Sequence, residues 1–326
     1  MKSKAIIIGR YGGSEVLEFT EIDVPLPGVG EVQIHHAAIG VNFVDTYYRT
    51  GLYKPAGGLP FVAGSEGAGT VVAVGEGVDG FSIGDRVAYP SNNGAYCEYR
   101  NIRASALVTL PDDIAFEIAA GMMTKGMTAE FLLHRTYQVG PETVLLWHAS
   151  AGGVGLIAGQ WAKALGATVI GTAGSADKVE LALAHGYDHV INYRDEDFVE
   201  RVKALTGGKG VDVVYDSVGR DTFPKSLDCL KPRGLWVTFG NASGPVDPMA
   251  PAILAQKGSL FMTRPTLGNY ISTPEELNKC AEALFAIVRG NKVVINVNQT
   301  YPLADAARAH ADLEARRTSG TTLLIP

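Results

Sequence analysis

The sequence predicts an α/β protein in which a small, bent β-barrel is followed by a doubly wound parallel sheet. Before about residue 125, short alternating apolar runs such as EVQIHHAAI and GTVVAVG are separated by glycine and proline turns, a pattern typical of antiparallel strands. From Thr143 onward, apolar runs alternate with segments of helical spacing. This alternation indicates parallel strands joined by right-handed helical crossovers.

Length and composition narrow the class of protein. The chain has 326 residues, enough for two domains of roughly 100–200 residues each. Its formal net charge of −6 argues against a non-specific nucleic-acid binder. The longest apolar runs fall short of the roughly 18 residues of a membrane helix, and the initial MKSKAIIIGRYGG reads as a strand rather than a signal peptide. Three scattered cysteines do not make a disulfide framework, so we expect a cytoplasmic protein.

The predicted barrel is followed by a helix. Gly64, Gly67 and Gly69 in AGSEGAGTVVAVG suit the strong bends of a small barrel. Near Ile114 the pattern changes. The stretch DDIAFEIAAGMMTKGMTAEFLLHR has helical spacing, with acidic residues early and basic residues late, as the helix dipole favours.

Six candidate strands form the predicted sheet, and they read TVLLWHA, TVIGTAG, HVINY, VDVVYDSVG, GLWVTFG and SLFMTR. Helical segments follow the first four strands, at Val154–Leu165, Ala176–His185, Glu196–Leu205 and Phe223–Leu230. After Arg264 come a helix, a strand, a helix and a last strand, at Pro274–Arg289, KVVINVNQTYP, Leu303–Arg317 and TTLLIP. These last segments suggest a return to the first domain. We therefore expect one domain from residues 1–125 and 265–326, and a second from residues 126–264.

The stretch HASAGGVG, from His148 to Gly155, lies between the first candidate strand and its helix. It is close to the dinucleotide-binding fingerprint, but Ser150 stands where the first glycine is usual. Gly152 would let the backbone approach a pyrophosphate, and Gly155 would let the helix pack on the strand. The helix N-terminus would supply N–H groups and a partial positive charge to the phosphates. Because the turn opens a series of strand–helix units, we predict a Rossmann nucleotide-binding domain; a glycine-rich packing turn is the alternative.

The end of the second strand of the sheet favours NADPH over NADH. NAD-binding sites usually carry an acidic residue there that binds the ribose 2′-hydroxyl. Here the small residues Gly171–Ser175 occupy that place and Lys178 follows, so a 2′-phosphate would be attracted rather than repelled. Asp177 also lies there, with a structural explanation as an acidic residue at a helix N-terminus. Tyr193 is a candidate for covering the adenine or reaching the phosphate, and an ordinary exposed tyrosine is the alternative.

Several longer stretches carry a family resemblance that runs from GGSEVLE to the final LLIP, and they read GVNFVDTYYRTGLY, HASAGGVGLIAGQWAKALGA, VINYRDEDFVERVKALTGGKGVDVVYDSVGRDTF, SLDCLKPRGLWVTFGNASG and QKGSLFMTRPTL. On these residues the chain resembles the quinone oxidoreductases of the zinc-lacking medium-chain dehydrogenase/reductase superfamily, the group that includes zeta-crystallin. The resemblance implies a GroES-like barrel built from both chain ends, with a Rossmann domain inserted. It also implies an NADPH-dependent enzyme that reduces quinones.

The same resemblance implies the residues of the site. The segment Asn42–Tyr53 would line the nicotinamide, with Asn42, Tyr47 and Tyr53 as predicted catalytic residues and Asn42, Phe43 and Asp45 as cofactor contacts. Further predicted cofactor contacts are Thr128; Gly152, Gly153 and Val154 at the pyrophosphate; Gly174, Ser175, Lys178, Tyr193 and Arg317 around the 2′-phosphate; and Ser217, Phe239, Asn241, Ser243 and Arg264 elsewhere along the cofactor. The chain departs from the family pattern at Glu130–Phe131, where relatives often carry two tyrosines.

We predict that the chain has no metal site. Zinc alcohol dehydrogenases carry a cysteine just after the equivalent of Gly40; here Asn42 lies near that position, and Ser65 replaces their ligand histidine although Glu66 is kept. No cysteine lies within metal-ligand spacing of another. Alcohol oxidation needs a metal or a base to remove the alcohol proton. Quinone reduction needs only hydride delivery and hydrogen-bond donors for the quinone oxygens, such as Tyr47 and Asn42.

Other functions stay open at this point. The aromatic side chains of Phe43, Tyr47, Tyr48 and Tyr53 suit a flat, apolar acceptor, and core packing is the alternative. A second candidate activity is NADPH-dependent reduction of the double bond of an alkenal or enone. A third, from another class, is a crystallin-like protein that binds single-stranded RNA with little turnover; the acidic net charge and the lack of a basic cluster speak against it.

The sixth strand predicts an oligomer. It reads GSLFMTR, an unusually apolar edge for a sheet, and such edges need cover or pairing. Family members pair this edge across a two-fold axis. We therefore expect a homodimer with an isologous interface, a small-molecule quinone as the other partner, and no membrane partner.

Overall fold

The computed structural model describes residues 1–90 and 93–326. The described chain forms two compact units. The first unit consists of Met1–Met127, Tyr270–Leu284 and Ile295–Pro326, and the second of Thr128–Asn269 and Phe285–Val294. The domain limits predicted from the sequence stay a prediction.

The strands and helices follow the chain in this order. The strands are β1 (Lys2–Ile8), β2 (Leu17–Asp23), β3 (Glu31–Val41), β4 (Phe61–Val62), β5 (Glu66–Val74), β6 (Arg86–Tyr89), β7 (Tyr99–Arg103), β8 (Val108–Thr109), β9 (Val144–Trp147), β10 (Thr168–Ala173), β11 (His189–Asn192), β12 (Val211–Asp216), β13 (Leu230–Thr238), β14 (Phe261–Thr263), β15 (Val297–Pro302) and β16 (Thr321–Ile325). The helices are α1 (Phe43–Thr50), α2 (Phe116–Phe131), α3 (Gly153–Ala164), α4 (Ala176–Leu183), α5 (Phe198–Leu205), α6 (Ala252–Gln256), α7 (Pro274–Arg289) and α8 (Ala306–Glu314).

The first unit is a β-structure in which the long strands β3 and β5 pair antiparallel. The larger sheet has the order β15-β16-β3-β5-β6-β8, with β7 also paired to β3, and a smaller sheet has the order β2-β1-β4. Inward-facing side chains of these strands, such as Ile6, Ile34 and Val71, form the core. The pairing sets Gly40 opposite Glu66, so the start of α1 lies beside the start of β5. A Cβ atom on Gly40 would lie 2.2 Å from Glu66 Oε1, and only glycine leaves that space.

The second unit contains a parallel sheet with the order β11-β10-β9-β12-β13-β14. Apolar side chains of the middle strands and of α5, among them Leu146, Val214 and Trp236, form its core. The order reverses direction between β9 and β12. In such sheets the carboxyl ends of the strands on either side of the reversal form the usual ligand-binding edge.

The predicted fold class is confirmed, with local differences. The segment Phe223–Leu230 is not the predicted α-helix but a short 3₁₀ turn at Lys225–Cys229, because the hydroxyls of Thr222 and Ser226 bind the carboxylate of Asp216 and hold the chain close to β12. The strand predicted from KVVINVNQTYP begins only at Val297. Among the helices of residues 1–90 and 93–326, none is both long and apolar enough to cross a membrane.

Candidate active site

The glycine turn joins the carboxyl end of β9 to the first turn of α3. Gly152 is the N-cap residue and the helix begins at Gly153, so no cap side chain covers the N–H groups of the first turn. A Cβ atom on Gly155 would lie 2.5 Å from the carbonyl oxygens of Ala149 and Ser150. Ala149 itself has a left-handed backbone with φ of 56°. The tight turn thus presents the positive end of the α3 dipole, which suits a phosphate.

Ser150, which stands where the fingerprint has a glycine, is buried in the turn. Its hydroxyl donates a hydrogen bond of 2.9 Å to the carbonyl oxygen of Thr172 on β10. The space for its side chain comes from Gly171, because a Cβ atom there would lie 2.7 Å from the Cβ of Ser150. The serine therefore ties the turn to the neighbouring strand.

A buried polar network supports the ends of β9, β10 and β12. His148 is hydrogen-bonded through Nδ1 to the hydroxyl of Thr172 and through Nε2 to that of Ser226, both at 3.0 Å. Ser226 donates to the carboxylate of Asp216 at 3.0 Å, and Thr222 donates to it at 2.7 Å. Two backbone N–H groups of the turn after β12 also donate to Asp216. Burial lowers the pKa of His148, so a neutral imidazole joins the glycine turn to Asp216.

The end of β10 carries the residues predicted to bind the 2′-phosphate. Gly174 and Ser175 join β10 to α4, and Ser175 is the N-cap of that helix. Lys178 lies in the first turn of α4, next to Asp177. A Cβ atom on Gly174 would lie 2.3 Å from the hydroxyl oxygen of Tyr193. The tyrosine hydroxyl therefore packs against the backbone at this point, and Gly174 is required for that approach.

The loops after β12 and β13 touch each other. A Cβ atom on Gly240 would lie 2.4 Å from the carbonyl oxygen of Ser217. The hydroxyl of Ser243 donates to the carbonyl oxygen of Val218 at 2.9 Å and accepts from the N–H of Asp221 at 3.0 Å. Ser217 and Ser243 thus belong to one loop contact, and the side chain of Ser243 helps to hold it.

Arg264 and Phe239 lie at the same edge of the sheet. The guanidinium of Arg264 donates to the hydroxyl of Thr238 at 3.0 Å and to the carbonyl oxygen of Gly240 at 2.9 Å. The ring of Phe239 meets that of Trp147 edge to face, with centroids 5.6 Å apart. Asn241 follows in the same loop. The structure thus brings the predicted residues after β13 together with the end of β9.

Asn42 is the N-cap of α1, in the first unit, and two carboxylates hold it. Its backbone N–H donates to Asp45 Oδ2 at 2.8 Å, and its side-chain Nδ2 donates to Glu66 Oε1 at 2.8 Å. Glu66 is fully buried and also accepts from the ammonium of Lys125 at 2.5 Å and from the N–H of Thr124 at 2.6 Å. Because Nδ2 is committed to Glu66, the orientation of the Asn42 amide is fixed.

Asp45, predicted as a cofactor contact, is itself buried. Its carboxylate accepts the hydroxyl of Ser65 at 2.6 Å and that of Tyr96 at 2.9 Å, in addition to the N–H of Asn42. Burial raises the pKa of this carboxyl to about 6, and the three hydrogen bonds oppose the shift. The side chain of Asp45 therefore stabilises the start of α1 by accepting hydrogen bonds from residues of the same unit.

Three tyrosines form an aromatic cluster at the end of α1. The ring of Tyr53 meets Tyr47 edge to face with centroids 5.3 Å apart, and Tyr48 likewise at 5.8 Å. The backbone N–H of Tyr53 donates to the carbonyl oxygen of Tyr47 at 3.0 Å. Tyr47 is buried, whereas Phe43, Tyr48 and Tyr53 are half-buried. The structure therefore brings the predicted catalytic tyrosines into direct contact.

Arg317 and Thr128 complete the set of predicted residues. Arg317 is exposed and pairs with the carboxylate of Asp312 at 2.5 Å. Thr128 lies in α2. Two residues later, the carboxylate of Glu130 accepts from Arg135 at 2.6 Å, so the side chain that departs from the family pattern takes part in a local ion pair.

Comparison with known proteins places this arrangement in a family. A model described as the alcohol dehydrogenase GroES-like domain matches residues 28–142, and one described as zinc-binding dehydrogenase matches residues 153–286. The quinone oxidoreductase of Pseudomonas aeruginosa is 53% identical over 99% of this chain and 100% of its own. This chain belongs to the quinone oxidoreductase family.

A solved structure of this family and a relative with another activity are also similar to the chain. The crystal structure of Escherichia coli quinone oxidoreductase complexed with NADPH has a TM-score of 0.97 and 51% identity, and the match covers 99% of this chain and 100% of that one. The 2-haloacrylate reductase of a Burkholderia species is 45% identical over 99% of this chain and 98% of its own.

The donor set of this family member does not suit zinc. Although one matching model is described as a zinc-binding dehydrogenase, the carboxylate of Glu66 is occupied by Lys125, Asn42 and Thr124. Ser65 beside it donates to Asp45. Among residues 1–90 and 93–326, no three histidine, cysteine, aspartate or glutamate side chains lie together as metal ligands would. The absence of a metal stays a prediction.

Sequence reasoning missed two supporting residues of the site. The sequence identifies Lys125 only as part of a helix, and nothing in its local sequence indicates its pairing with Glu66, which lies 59 positions away. The sequence identifies Asp216 only as the end of a strand. The signal that would have found it is its place at the carboxyl end of β12, followed by the small residues of the turn Ser217–Gly219, where a carboxylate can accept turn N–H groups.

Proposed function

We propose that this protein is an NADPH-dependent reductase of quinones. The observation that carries the proposal is the similarity, over nearly the whole chain, to a quinone oxidoreductase complexed with NADPH. Geometry within each unit supports it. The second unit has a nucleotide-type turn at Gly152–Val154. The first unit has the fixed amide of Asn42 at the start of α1 and an aromatic cluster at the end of that helix.

The residues of the second unit fit NADPH. The uncapped N-terminus of α3 would receive the pyrophosphate at Gly152, Gly153 and Val154. A side chain at Gly152 would crowd this approach, since a Cβ atom there would already lie 3.1 Å from the carbonyl oxygen of Ala149. Ser217, Phe239, Asn241 and Ser243, together with Thr128 and Arg264, are proposed to contact the rest of the cofactor.

The 2′-phosphate is proposed to bind at Gly174, Ser175, Lys178 and Tyr193. The joining residues carry no carboxylate that would repel it, and the ammonium of Lys178 supplies positive charge near the start of α4. Arg317 is proposed as a second cation. Its present pairing with Asp312 means that a phosphate would compete with a carboxylate for the same guanidinium.

The first unit is proposed to supply the acceptor site. When bound, NADPH supplies a hydride from its nicotinamide ring. Asn42, Tyr47 and Tyr53, with Phe43 beside them, hold a flat acceptor by ring contacts and polar groups. As the quinone accepts the hydride, negative charge develops on a quinone oxygen, and a hydroxyl or amide donor stabilises that charge. The quinone oxygens then take their protons from water, so no metal and no dedicated base is needed.

Steady-state assays test this function. Purified protein is given NADPH or NADH with a panel of 1,4-quinones and 2-alkenals, and oxidation of the cofactor is followed by absorbance. We expect turnover with NADPH and quinones, and much weaker turnover with NADH. Turnover confined to the alkenals would replace the proposal by the second candidate, and retention of single-stranded RNA without cofactor oxidation would replace it by a binding function.

The second candidate, reduction of an activated C=C bond, is favoured by one observation, the 45% identity to a 2-haloacrylate reductase. Both reactions deliver a hydride to an electron-poor acceptor and need the same cofactor site. They differ in the acceptor, because a haloacrylate carries a carboxylate and a quinone does not. The described cluster of Tyr47, Tyr48 and Tyr53 is aromatic rather than cationic, and it suits the quinone better.

We also propose a homodimer that forms through β14. This strand is the last in the sheet order, and its residues Phe261 and Met262 are 62% and 42% exposed. Pairing two such edges would cover both side chains and satisfy the free backbone groups. The cytoplasm is the proposed location, which is supported by Cys97, Cys229 and Cys280 being free thiols.

A further inference from the structure

A chain of buried side chains in the first unit leads from α8 to the start of α1. The guanidinium of Arg49 is hydrogen-bonded to Nδ1 of His310 at 3.1 Å, and Nε2 of His310 to the hydroxyl of Tyr96 at 3.0 Å. Tyr96 continues to Asp45 Oδ2 at 2.9 Å. At the other end, Arg49 forms an ion pair of 2.6 Å with Glu314, and the side chain of Glu314 is 40% exposed. The side chains of Arg49, His310, Tyr96 and Asp45 are all buried.

Hydrogen-bonding capacity fixes the direction of every bond in this chain. A guanidinium can only donate, so Nδ1 of His310 is an acceptor and the ring proton is on Nε2. Burial and the nearby Arg49 lower the pKa of His310 to about 3, which agrees with a neutral ring. Nε2–H then donates to the oxygen of Tyr96, and the Tyr96 hydroxyl donates to Asp45. Each donor therefore polarises the next, and the chain ends on a carboxylate.

Asp45 connects this chain to Asn42. The same oxygen, Oδ2, accepts both the Tyr96 hydroxyl and the backbone N–H of Asn42. A protonated carboxyl is a weaker acceptor than a carboxylate, so protonation loosens the N-cap of α1. The backbone N–H of Asn42 would then lose its charged acceptor, and the residue would be held by its side chain alone, through Glu66 and the backbone N–H of Asp45.

We propose that Tyr96, His310 and Arg49 are positioning residues for the reductase site, which keep Asp45 ionised and thereby hold Asn42 and the start of α1 in place for turnover. This inference rests on the proposed function. None of the three was predicted from the sequence as part of the site. Their expected effect is a dependence of turnover on pH, transmitted through Asp45.

The titratable and charged groups around Asp45 set the sign of that dependence. Glu66, at the start of β5, raises its pKa, whereas the hydroxyls of Ser65 and Tyr96 lower it; burial is the largest cause and raises it to about 6. On its own helix, Tyr48 is the other titratable neighbour, and Arg49 acts on Tyr96. The carboxylate is therefore present above about pH 6 and lost below. Turnover should fall as the pH falls through this value.

The experiment measures kcat/KM for a 1,4-quinone with saturating NADPH from about pH 5 to about pH 9. In the unmodified protein we expect kcat/KM to fall through a single transition as the pH is lowered, and we call this part of the pH profile the acid limb. Tyr96→Phe removes one donor to Asp45 and should move the limb up by about one pH unit. Asp45→Asn should abolish the limb and give low, pH-independent kcat/KM.

Variants at His310 show whether the whole chain matters. His310→Leu should move the limb in the same direction as Tyr96→Phe. His310→Gln should keep it close to its original position, because an amide can accept from Arg49 and donate to Tyr96. The matched control is Tyr89→Phe. Tyr89 is equally buried and bonded to a histidine and an arginine, His36 and Arg100, and its loss should leave the limb unchanged.

Two outcomes would overturn the inference. One is a loss of thermal stability in Tyr96→Phe and His310→Leu with no movement of the acid limb, which would mark these residues as structural only. The other is read without activity, from the backbone amide signal of Asn42 in ¹⁵N spectra. That signal should titrate near pH 6 in the unmodified protein and at higher pH in Tyr96→Phe. A signal that does not titrate excludes the inference, whether or not the protein reduces quinones. Absence of quinone turnover is a separate result, and it would exclude the proposed function instead.

Discussion

The side-chain amide of Asn42 donates to the same carboxylate oxygen of Glu66 that receives the ammonium of Lys125, at distances of 2.8 Å and 2.5 Å. Both charged groups are buried, with 0% and 5% of their side chains exposed. A buried charge is tolerated when its partner and hydrogen bonds are all present. The candidate catalytic amide is therefore oriented by an ion pair that depends on every one of its members.

Removing Lys125 tests that dependence. Lys125→Met leaves the carboxylate of Glu66 buried without its cation, and we expect a loss of about 3–5 kcal/mol in the free energy of unfolding. The double variant Glu66→Gln/Lys125→Met removes both charges and should recover much of this loss. Lys163→Met is the control, since Lys163 pairs with Asp188 at the surface and such pairs contribute about 0–1 kcal/mol. Denaturant unfolding measures all three, and equal losses in Lys125→Met and Lys163→Met would contradict the prediction.

Local spacing was enough to predict the parallel sheet and the glycine turn, because strand, turn and helix follow one another within a few residues around Gly152. It was not enough for the ion pair of Glu66 and Lys125, which forms only when β5 and α2 pack together. The same limit applies to the edge strand. Its apolar character was readable, but Leu260 is buried while Phe261 is exposed, and which side chain faces inward depends on how the strand pairs with β13.

Cofactor preference can be tested at Lys178. If its ammonium binds the 2′-phosphate, Lys178→Ala should raise the KM for NADPH by about tenfold or more, since hydrogen bonds to charged groups are worth about 1.5–3 kcal/mol. The KM for NADH, which lacks that phosphate, should be nearly unchanged. Lys163→Ala serves as the control for a surface lysine of the same unit. Equal changes for both cofactors in Lys178→Ala would remove the lysine from the site.

Three buried histidines, His36, His148 and His310, should make the protein sensitive to acid. Burial lowers the pKa of His36 and of His310 to about 3, so between this value and the usual pKa of about 6.5 the unfolded chain binds more protons. The free energy of unfolding therefore falls as the pH falls, by about 1.4 kcal/mol per pH unit for each histidine.

Asp45 acts in the opposite direction. The pKa of its carboxyl is raised to about 6, so between the usual pKa of an aspartate, about 4, and pH 6 the folded chain binds more protons than the unfolded chain. In this range Asp45 cancels the contribution of roughly one histidine to the pH dependence of the free energy of unfolding. Burial also lowers the pKa of His148, which adds to the slope in the same direction as the other two histidines. His36→Gln should therefore reduce the slope by about 1.4 kcal/mol per pH unit. Urea unfolding at several pH values measures the slope, and an unchanged slope in His36→Gln would show that His36 is not responsible.

The proposed dimer can be separated from the core at neighbouring positions. Phe261 is exposed on β14, so Phe261→Lys should give a monomer with little change in unfolding of the isolated chain. Leu260 belongs to the core of the second unit, and Leu260→Lys should instead unfold it. Ile83→Lys, at an exposed residue of the first unit, is the control for adding a lysine. Light scattering reads the mass, and a monomer in the unmodified protein at micromolar concentration would exclude the dimer.

The hydroxyl of Tyr47 gives the sharpest test of the acceptor site, because two substitutions separate its ring from its hydroxyl. Tyr47→Phe keeps the edge-to-face contact with Tyr53 and removes only the donor. If that donor stabilises the charge that develops on a quinone oxygen, kcat should fall by about 10–1000-fold with little change in KM. If the ring only stacks on the quinone, Tyr47→Phe should be nearly silent and Tyr47→Ala should raise KM instead. When both variants keep kcat and KM within a factor of about two, Tyr47 lies outside the acceptor site, and the amide of Asn42 becomes the remaining candidate donor on α1.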